Sequence, residues 1–584
     1  MGSEKTRTHW SGYSFGNYLM VVSSGSHIRT NRRRAVFWLL YASLVTLLPV
    51  MLLPAKLGSE AAFRLLTGDA YLYLRIAESS ETFFSFDGER PTNGFHPLWQ
   101  WYLWALHDGL GLSGLALANA SAWSAVFATW VGALVLVLAI RTATGIWWLG
   151  LLAAPGAYYL LVGVGFGNLA VWDMFNGMEI GLVFALSAIL CLLLARLPAT
   201  GPTLRQLFVI GCVLAVIFLA RLDEAFVVIG VAVALLLWSD RSIPRRFLDA
   251  VVVSAPAAVA LVCYLAYNLS YMGIALPISG AAKGEGALLS NGWTTAVGIF
   301  LPLFDLRQAL TGYQGDLTAL VNTQFRIVQL IFPVLLAIGL LYTLRRGFRD
   351  APYASLLSGV LIGICLKAIY NFVAVSYWHQ ASWYFGLAMA AISFGLAVVL
   401  APAARWTQAR APFGAALLGG SIALLSFLHA TQIAERKLAV QSDGGAAAFW
   451  EQRKAITAAL QAEVPSAKLM EFGDGFLGFA LDIPVRHGFV YAGDTESLEA
   501  LRQGRLLRES YADGYTILSS YEYLKWPLAP GAQPSSDEIR KFLSRNLVVE
   551  RALGELQYFD YDLVYYYAPR RIPFIRLTMK ADAN

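Results

Sequence analysis

Along most of this chain the apolar positions run together instead of alternating with polar ones, and the length of the runs decides what they are. A helix rises about 1.5 Å per residue, so ~20 apolar residues cross the roughly 30 Å hydrocarbon core of a bilayer. About eleven runs approach or exceed that length. They are 35–53, 113–140, 145–166, 180–194, 206–220, 225–238, 248–269, 327–344, 353–375, 383–401 and 413–430. The pattern predicts an α-helical polytopic membrane protein. The first run follows Arg29, Arg32, Arg33 and Arg34 and has no small-residue cleavage site after it, so it reads as a retained span with a cytoplasmic segment 1–34 before it.

Every second connection carries the cations: Arg141, then Arg196 and Arg205, Arg241, Arg245 and Arg246, Arg345, Arg346 and Arg349, and Arg405 and Arg410. The opposite connections carry Asp69, Glu78, Glu81, Asp87, Glu89, Asp173, Glu179, Asp223, Glu224 and Glu285. Positive charge marks the cytoplasmic side, so the acid-bearing loops face outward and an odd number of spans places the C-terminal part outside too. The expected site is a bacterial inner (plasma) membrane.

From about residue 435 the period changes to that of an ordinary globular chain. A helical stretch over 447–463 precedes short β-branched and aromatic runs at 468–473, 483–490, 515–518, 546–550 and 561–568, which predict an extracytoplasmic α/β domain over 435–584 behind a transmembrane domain over 35–434. Gly473-Asp474-Gly475 is a turn signal with no Lys-Ser/Thr after it, so no phosphate loop is expected, and acceptor docking suits the domain better.

Composition agrees: 57% of the 584 residues are hydrophobic, 14% are charged and the mean hydropathy is +0.56, which excludes a soluble globular chain. The net charge of +6 belongs to the orientation signal and does not imply nucleic acid. Cys191, Cys212, Cys263 and Cys365 all lie in apolar runs and read as small buried hydrophobes.

The connection over 54–112 is too long and too patterned for a plain loop. Residues 60–77 and 97–106 show helical spacing with many Trp and Tyr, as helices lying along the interface do. Asp69 and Tyr73 share one face of the first. A lone acid there is either solvated, capping a helix, or working on something.

Gly68-Asp69-Ala70-Tyr71, the stretch from Pro91 through Asn93 and His96 to Trp99, Asn176-Gly177-Met178-Glu179-Ile180-Gly181, the Ala220-Arg221-Leu222-Asp223-Glu224 run, and the Leu276 to Lys283 loop together resemble the GT-C glycosyltransferases. Within them they are most similar to the arabinofuranosyltransferase branch, which includes the mycobacterial terminal β-(1→2)-arabinofuranosyltransferase and the pilin arabinosyltransferases. The resemblance implies a polyprenyl-phosphate-linked sugar donor, an outer-face site and an Asp in the first outer loop as base. Many relatives carry paired acids at the start of that motif; Gly68-Asp69 leaves Asp69 alone.

One base suffices, because the acceptor hydroxyl must lose a proton whereas the lipid phosphate leaves already charged. That phosphate needs cations. Lys283, Arg221 and Lys367 are the candidates, each with a second reading: Lys283 as an interface anchor, Arg221 paired with Asp223 or Glu224, and Lys367, inside a span, paired with a carboxylate such as Glu179. Tyr73, Asn93, His96, Glu179, Asp223, His379, Trp383 and Tyr384 are the candidates for sugar or acceptor contacts, and the aromatics among them also suit an interfacial belt. No cofactor is expected, no His/Asp/Glu spacing argues for a metal, and metal dependence stays open. The acceptor reads as an envelope glycan such as an arabinan, with transfer of arabinofuranose or another lipid-linked sugar, such as an aminosugar or mannose, to a surface protein or lipid A as the alternative. A transporter or flippase of a lipid-linked sugar is the other class that fits the hydrophobicity, although no internal repeat is evident.

Overall fold

The computed structural model describes residues 61–151, 174–283, 334–348, 351–374, 382–411, 445–473, 475–529, 531–547 and 549–581. The expected runs at 35–53 and 413–430 lie outside them, as do Asp173 and His379; Lys283 and Trp383 are placed by backbone alone.

Among the described residues, four helices are long and apolar enough to cross a membrane: Gly114–Thr144, Ile243–Met272, Ala354–Ala374 and Gly386–Arg410. Ile180–Ala195 and Leu204–Ala220 are shorter apolar helices, and Ala225–Trp238 follows the second of them after the four-residue break 221–224. In chain order the helices used below are α1 (Gly68–Ser79), α2 (Pro97–Trp104), α3 (Gly114–Thr144), α4 (Ile180–Ala195), α5 (Leu204–Ala220), α6 (Ala225–Trp238), α7 (Ile243–Met272), α8 (Ile278–Lys283), α9 (Ala354–Ala374) and α10 (Gly386–Arg410). Helix α7 begins earlier than the apolar run at 248–269: Arg245 in its first turn and Arg241 just before it both pair with the buried Asp249.

Small residues set how closely the apolar helices approach, since between lipid-like surfaces packing replaces hydrophobic driving force. A Cβ on Gly230 of α6 would lie 2.3 Å from the Gly359 carbonyl of α9, and one on Gly363 would lie 2.4 Å from Val227 Cα. Only glycine permits that contact. The two helices therefore meet backbone to backbone in one register, with Gly363 opposite Val227.

The C-terminal part is a five-stranded mixed sheet. Its strands are β1 (Leu469–Glu471), β2 (Val485–His487), β3 (Ile517–Ser519), β4 (Phe559–Tyr567) and β5 (Ile572–Met579), in the order β2-β1-β3-β5-β4. The first three strands are parallel; β5 is antiparallel to β3 and to β4. Around them lie α11 (Gly445–Glu463), α12 (Phe476–Ala480), α13 (Thr495–Arg502), α14 (Leu506–Ala512) and α15 (Ser536–Asn546). The expected strand at 546–550 does not form. Asn546 ends α15, whose start is fixed by a Ser535–Glu538 capping box, and Glu550–Leu553 is helical. The expectation also omits β5, whose Pro573 argues against an interior strand; it pairs with Tyr566 next to a register shift in β4, and its carbonyl accepts from Ser519 Oγ at 2.7 Å.

One buried apolar cluster continues from the membrane helices through α1 into the sheet domain. Tyr71 of α1 meets Phe476 and Phe479 of α12 with ring centroids 5.0 and 5.4 Å apart. At Gly475, where φ is +90°, an added Cβ would sit 2.5 Å from Leu72 Cδ2. Helix α1 is thus clamped between the membrane helices and the sheet domain, which holds whatever its first turn carries.

Candidate active site

The expected helix over 60–77 breaks at Leu66-Thr67 into Ala61–Leu65 and α1. Asp69 stands in the first turn of α1, where the helix dipole favours a carboxylate. It is partly exposed and makes no hydrogen bond or ion pair to any described residue. Its charge acts on Tyr73, one turn along, and on Glu179. Tyr73 is buried; its hydroxyl accepts the His96 backbone N–H at 3.2 Å, and its carbonyl accepts Gln100 Nε2 at 3.2 Å.

His96 precedes Pro97 at the start of α2, and the Leu222 N–H donates to its Nδ1 at 3.3 Å. That bond puts the ring proton of neutral His96 on Nε2, which lies 3.6 Å from Glu179 Oε1. Glu179 is brought there by a tight turn: Gly177 has φ +78°, its carbonyl accepts from Trp99 Nε1 and Ser121 Oγ, and a Cβ on it would collide with Leu66. Two elements distant in sequence, the first loop and the Asn176–Glu179 turn, are joined by these bonds.

The Arg221–Glu224 segment is the break between α5 and α6. Arg221 leaves the helix in extended conformation, and Leu222–Glu224 makes a single tight turn. Arg221 is 2% exposed. Its Nη1 contacts Glu179 Oε1 at 2.5 Å, its Nε lies 2.9 Å from Asp223 Oδ1, and its guanidinium sits 4.0 Å from the centre of the Tyr384 ring. Lys367 donates to Glu224 Oε1 at 2.6 Å and to the Tyr384 carbonyl at 2.8 Å, and lies 3.3 Å from Asp223 Oδ2. The expected partner Glu179 is not the one Lys367 takes. The glycine contact decides this: with Gly363 against Val227 in antiparallel helices, Lys367 one turn along falls level with Asp223 and Glu224 one turn back. Glu224, absent from the candidates above, is the residue sequence reasoning missed. Its signal was two adjacent acids at a break between apolar runs in a chain with an intramembrane lysine.

Asn93, expected to touch sugar, is fully buried and spent on backbone: Nδ2 donates to the Leu276 carbonyl at 3.2 Å, and Oδ1 accepts the Ile278 N–H at 2.9 Å. Together with Asn268, which donates to the Ala275 carbonyl, and Thr495, which donates to the Met272 carbonyl, it pins the segment that leads into α8 and ends on Lys283. Trp383 and Tyr384 lie in the short helical turn Ser382–Phe385 before α10. The structure therefore gathers Asp69, Tyr73, His96, Glu179, Arg221, Asp223, Lys367 and Tyr384 into one site, with Asn93 supporting it from outside. Among the described residues no group of three His, Cys, Asp or Glu side chains fits a metal, and the four cysteines are unpaired.

No family model matches the chain, and no curated protein does. Solved structures do. The chain is similar to the oligosaccharyltransferase AglB from Archaeoglobus fulgidus, in complex with an inhibitory peptide and a dolichol-phosphate, at a TM-score of 0.49 and 13% identity, over 94% of this chain and 75% of that one. It is also similar to ArnT from Cupriavidus metallidurans in the apo state, at a TM-score of 0.48 and 13% identity, over 94% of this chain and 98% of that one. Likeness this distant leaves the chemistry to be read from the side chains.

Proposed function

We propose that this chain is a membrane glycosyltransferase of the GT-C type that transfers a sugar, D-arabinofuranose by the resemblance of its motifs, from a polyprenyl-phosphate donor to an envelope glycan with inversion. One observation carries the reading: among the acids gathered at the site, Asp69 alone is partly exposed and uncommitted to any described cation, whereas Glu179, Asp223 and Glu224 are all held by Arg221 or Lys367. A carboxylate in an ion pair is a poor proton acceptor, because taking the proton costs the pairing energy. Asp69 is therefore the base.

The acceptor hydroxyl attacks the anomeric carbon and passes its proton to Asp69 as the new C–O bond forms. The bond from that carbon to the phosphate oxygen breaks in the same displacement, and the polyprenyl phosphate departs with the electron pair. Lys283, at the end of α8, is the cation assigned to that phosphate. Arg221 and Lys367, also expected on that phosphate, are committed to Glu179, Asp223 and Glu224, and two cations against three carboxylates leave the cluster no net positive charge to lend. The distribution of Arg and of acids along the connections supports a cytoplasmic N-terminus, with the site and the sheet domain on the outer face of the bacterial plasma membrane.

Asp69→Asn tests this with a synthetic polyprenyl-phospho-arabinofuranose and an arabinose-terminated acceptor. Transfer falls by about 10²–10⁴-fold, the usual worth of a general base, while donor binding is retained. Undiminished transfer by Asp69→Asn overturns the assignment. Movement of intact donor across vesicles, with no transfer by the unmutated protein, selects the transporter reading instead.

A further inference from the structure

Away from the cluster, a pocket of about 220 Å³ opens in the sheet domain between α13, α14 and the first loop. Leu506 and Ala500, both buried, give it an apolar floor. Arg90, Arg486, Glu496, Glu509, Ser510 and Asp513 give it polar walls. Those walls are prearranged: Arg90 reaches Asp513 at 2.8 Å and Glu496 at 2.9 Å, and Arg486, 3% exposed, donates to the same Asp513 oxygen at 2.8 Å and to Ser510 Oγ at 3.3 Å. Arg486 Nη2 has no hydrogen-bond partner among the described residues.

Two cations against three carboxylates make the lining slightly negative, which disfavours phosphate or a carboxylate ligand. Donors and acceptors side by side over an apolar floor suit instead a neutral ring with hydroxyls on its rim and C–H groups on its face. The volume, below the roughly 300–1,000 Å³ of drug-sized sites, suits one such ring. The rim also belongs to the catalytic piece of the chain. Arg90 lies in the loop that follows α1, and Arg75 of α1 donates from Nε to the Phe86 carbonyl of that loop at 3.2 Å. A ring held at Arg90 is thus kept at a set offset from Asp69.

We infer that this pocket is a second saccharide subsite, which holds one residue of a neutral oligosaccharide acceptor while another residue of the same chain is presented to Asp69. The inference rests on the glycosyltransferase reading. It makes the enzyme prefer long acceptors over short ones, since a second anchored ring lowers the entropy cost of placing the first.

The experiment uses the full chain in detergent, with a neutral arabino-oligosaccharide long enough to reach both points and a short disaccharide acceptor. Two variants probe the pocket: Ala512→Trp, which fills the exposed mouth, and Glu496→Gln, at a side chain 78% exposed, where folding is not at stake. Saturation-transfer NMR on the donor-free protein reads binding without any transfer. The oligosaccharide binds the unmutated protein and binds both variants about tenfold more weakly, and the ratio of long- to short-acceptor kcat/KM falls by the same factor through KM. Equal binding by all three proteins, absence of binding to the unmutated protein, or displacement of the oligosaccharide by spermidine at equal concentration overturns the subsite. Loss of transfer in every protein with pocket-dependent binding intact instead faults the glycosyltransferase reading.

Discussion

Two groups of charged residues organise this molecule, and they are built from the same residue types to opposite effect. The cluster of Glu179, Arg221, Asp223, Glu224 and Lys367 is almost wholly buried, with side-chain exposures between 0 and 13%. The joint between the first loop and the sheet domain uses Arg90 at 28% exposure against Asp494, Glu496 and Asp513, and Lys468 against Glu89. Buried ions owe water a desolvation cost of several kcal/mol each, so every member of the first group depends on the others. Members of the second range from 9% exposed at Asp494 to 78% at Glu496, so on the whole they are better hydrated than the first group and each contact is worth less singly. Charge therefore builds an interdependent buried cluster in one place and a more solvent-facing joint in the other.

Removing one inner cation is the largest blow to that contrast. Lys367→Met takes from Glu224 the cation that holds it, leaves Asp223 to Arg221 alone, and costs about 3–5 kcal/mol, read as a fall in Tm in detergent. The double variant Lys367→Met/Glu224→Gln recovers most of the loss. If it does not, the cluster is not electrostatically coupled and the comparison fails.

Asn93 stands between the two regions and is neutral, so it tests whether the link is polar packing and not charge. Asn93→Ala orphans the Leu276 carbonyl and the Ile278 N–H, at about 1–3 kcal/mol for each buried group. Faster proteolysis within 273–283 and a raised KM for the donor are the expected readouts, with kcat less affected. Unchanged cleavage in that segment removes Asn93 from its support.

The outer joint gives the smallest effect. Arg90→Ala costs about 1 kcal/mol or less at low salt, and the difference from the unmutated protein fades at 1 M salt, where the Debye length is about 3 Å. A penalty that survives high salt places this joint in the same class as the inner cluster.

Much of the outline was readable along the chain. The apolar runs at 113–140, 180–194, 206–220, 225–238, 248–269, 353–375 and 383–401 coincide with helices α3 to α7, α9 and α10, because a span's length is a local property set by bilayer thickness. The eleven expected spans are not all among the described residues, where four helices have full spanning length. In the sheet domain, Tyr561 to Tyr567 was legible as a strand by its aromatic run. Ile572 to Met579 was not, since Pro573 hides a strand that the neighbours impose. The break at Thr67 that frees Asp69 at the start of its own helix has no strong local signal either.

The candidate site divides the same way. Asp69, Arg221, Asp223 and Lys367 stand out in the sequence because a charge next to or inside an apolar run is costly and must be answered. What answers it is a pairing across 143 positions for Lys367 with Glu224 and across 42 for Arg221 with Glu179. Those pairings are chosen by helix register, which at α6 and α9 depends on glycines allowing backbones to touch. Asn93 looked like a ligand because its polar side chain sits in a polar motif; only the fold shows the loop that consumes it. The sequence by itself determined the class of molecule, the length of its helices and the short roll of residues able to carry chemistry, because hydrophobic run length and the cost of buried charge are properties of local composition. The tertiary structure decided which acid of the site has no partner among the described residues and which cations were already committed, because pairing depends on distances between helices that no stretch of sequence contains.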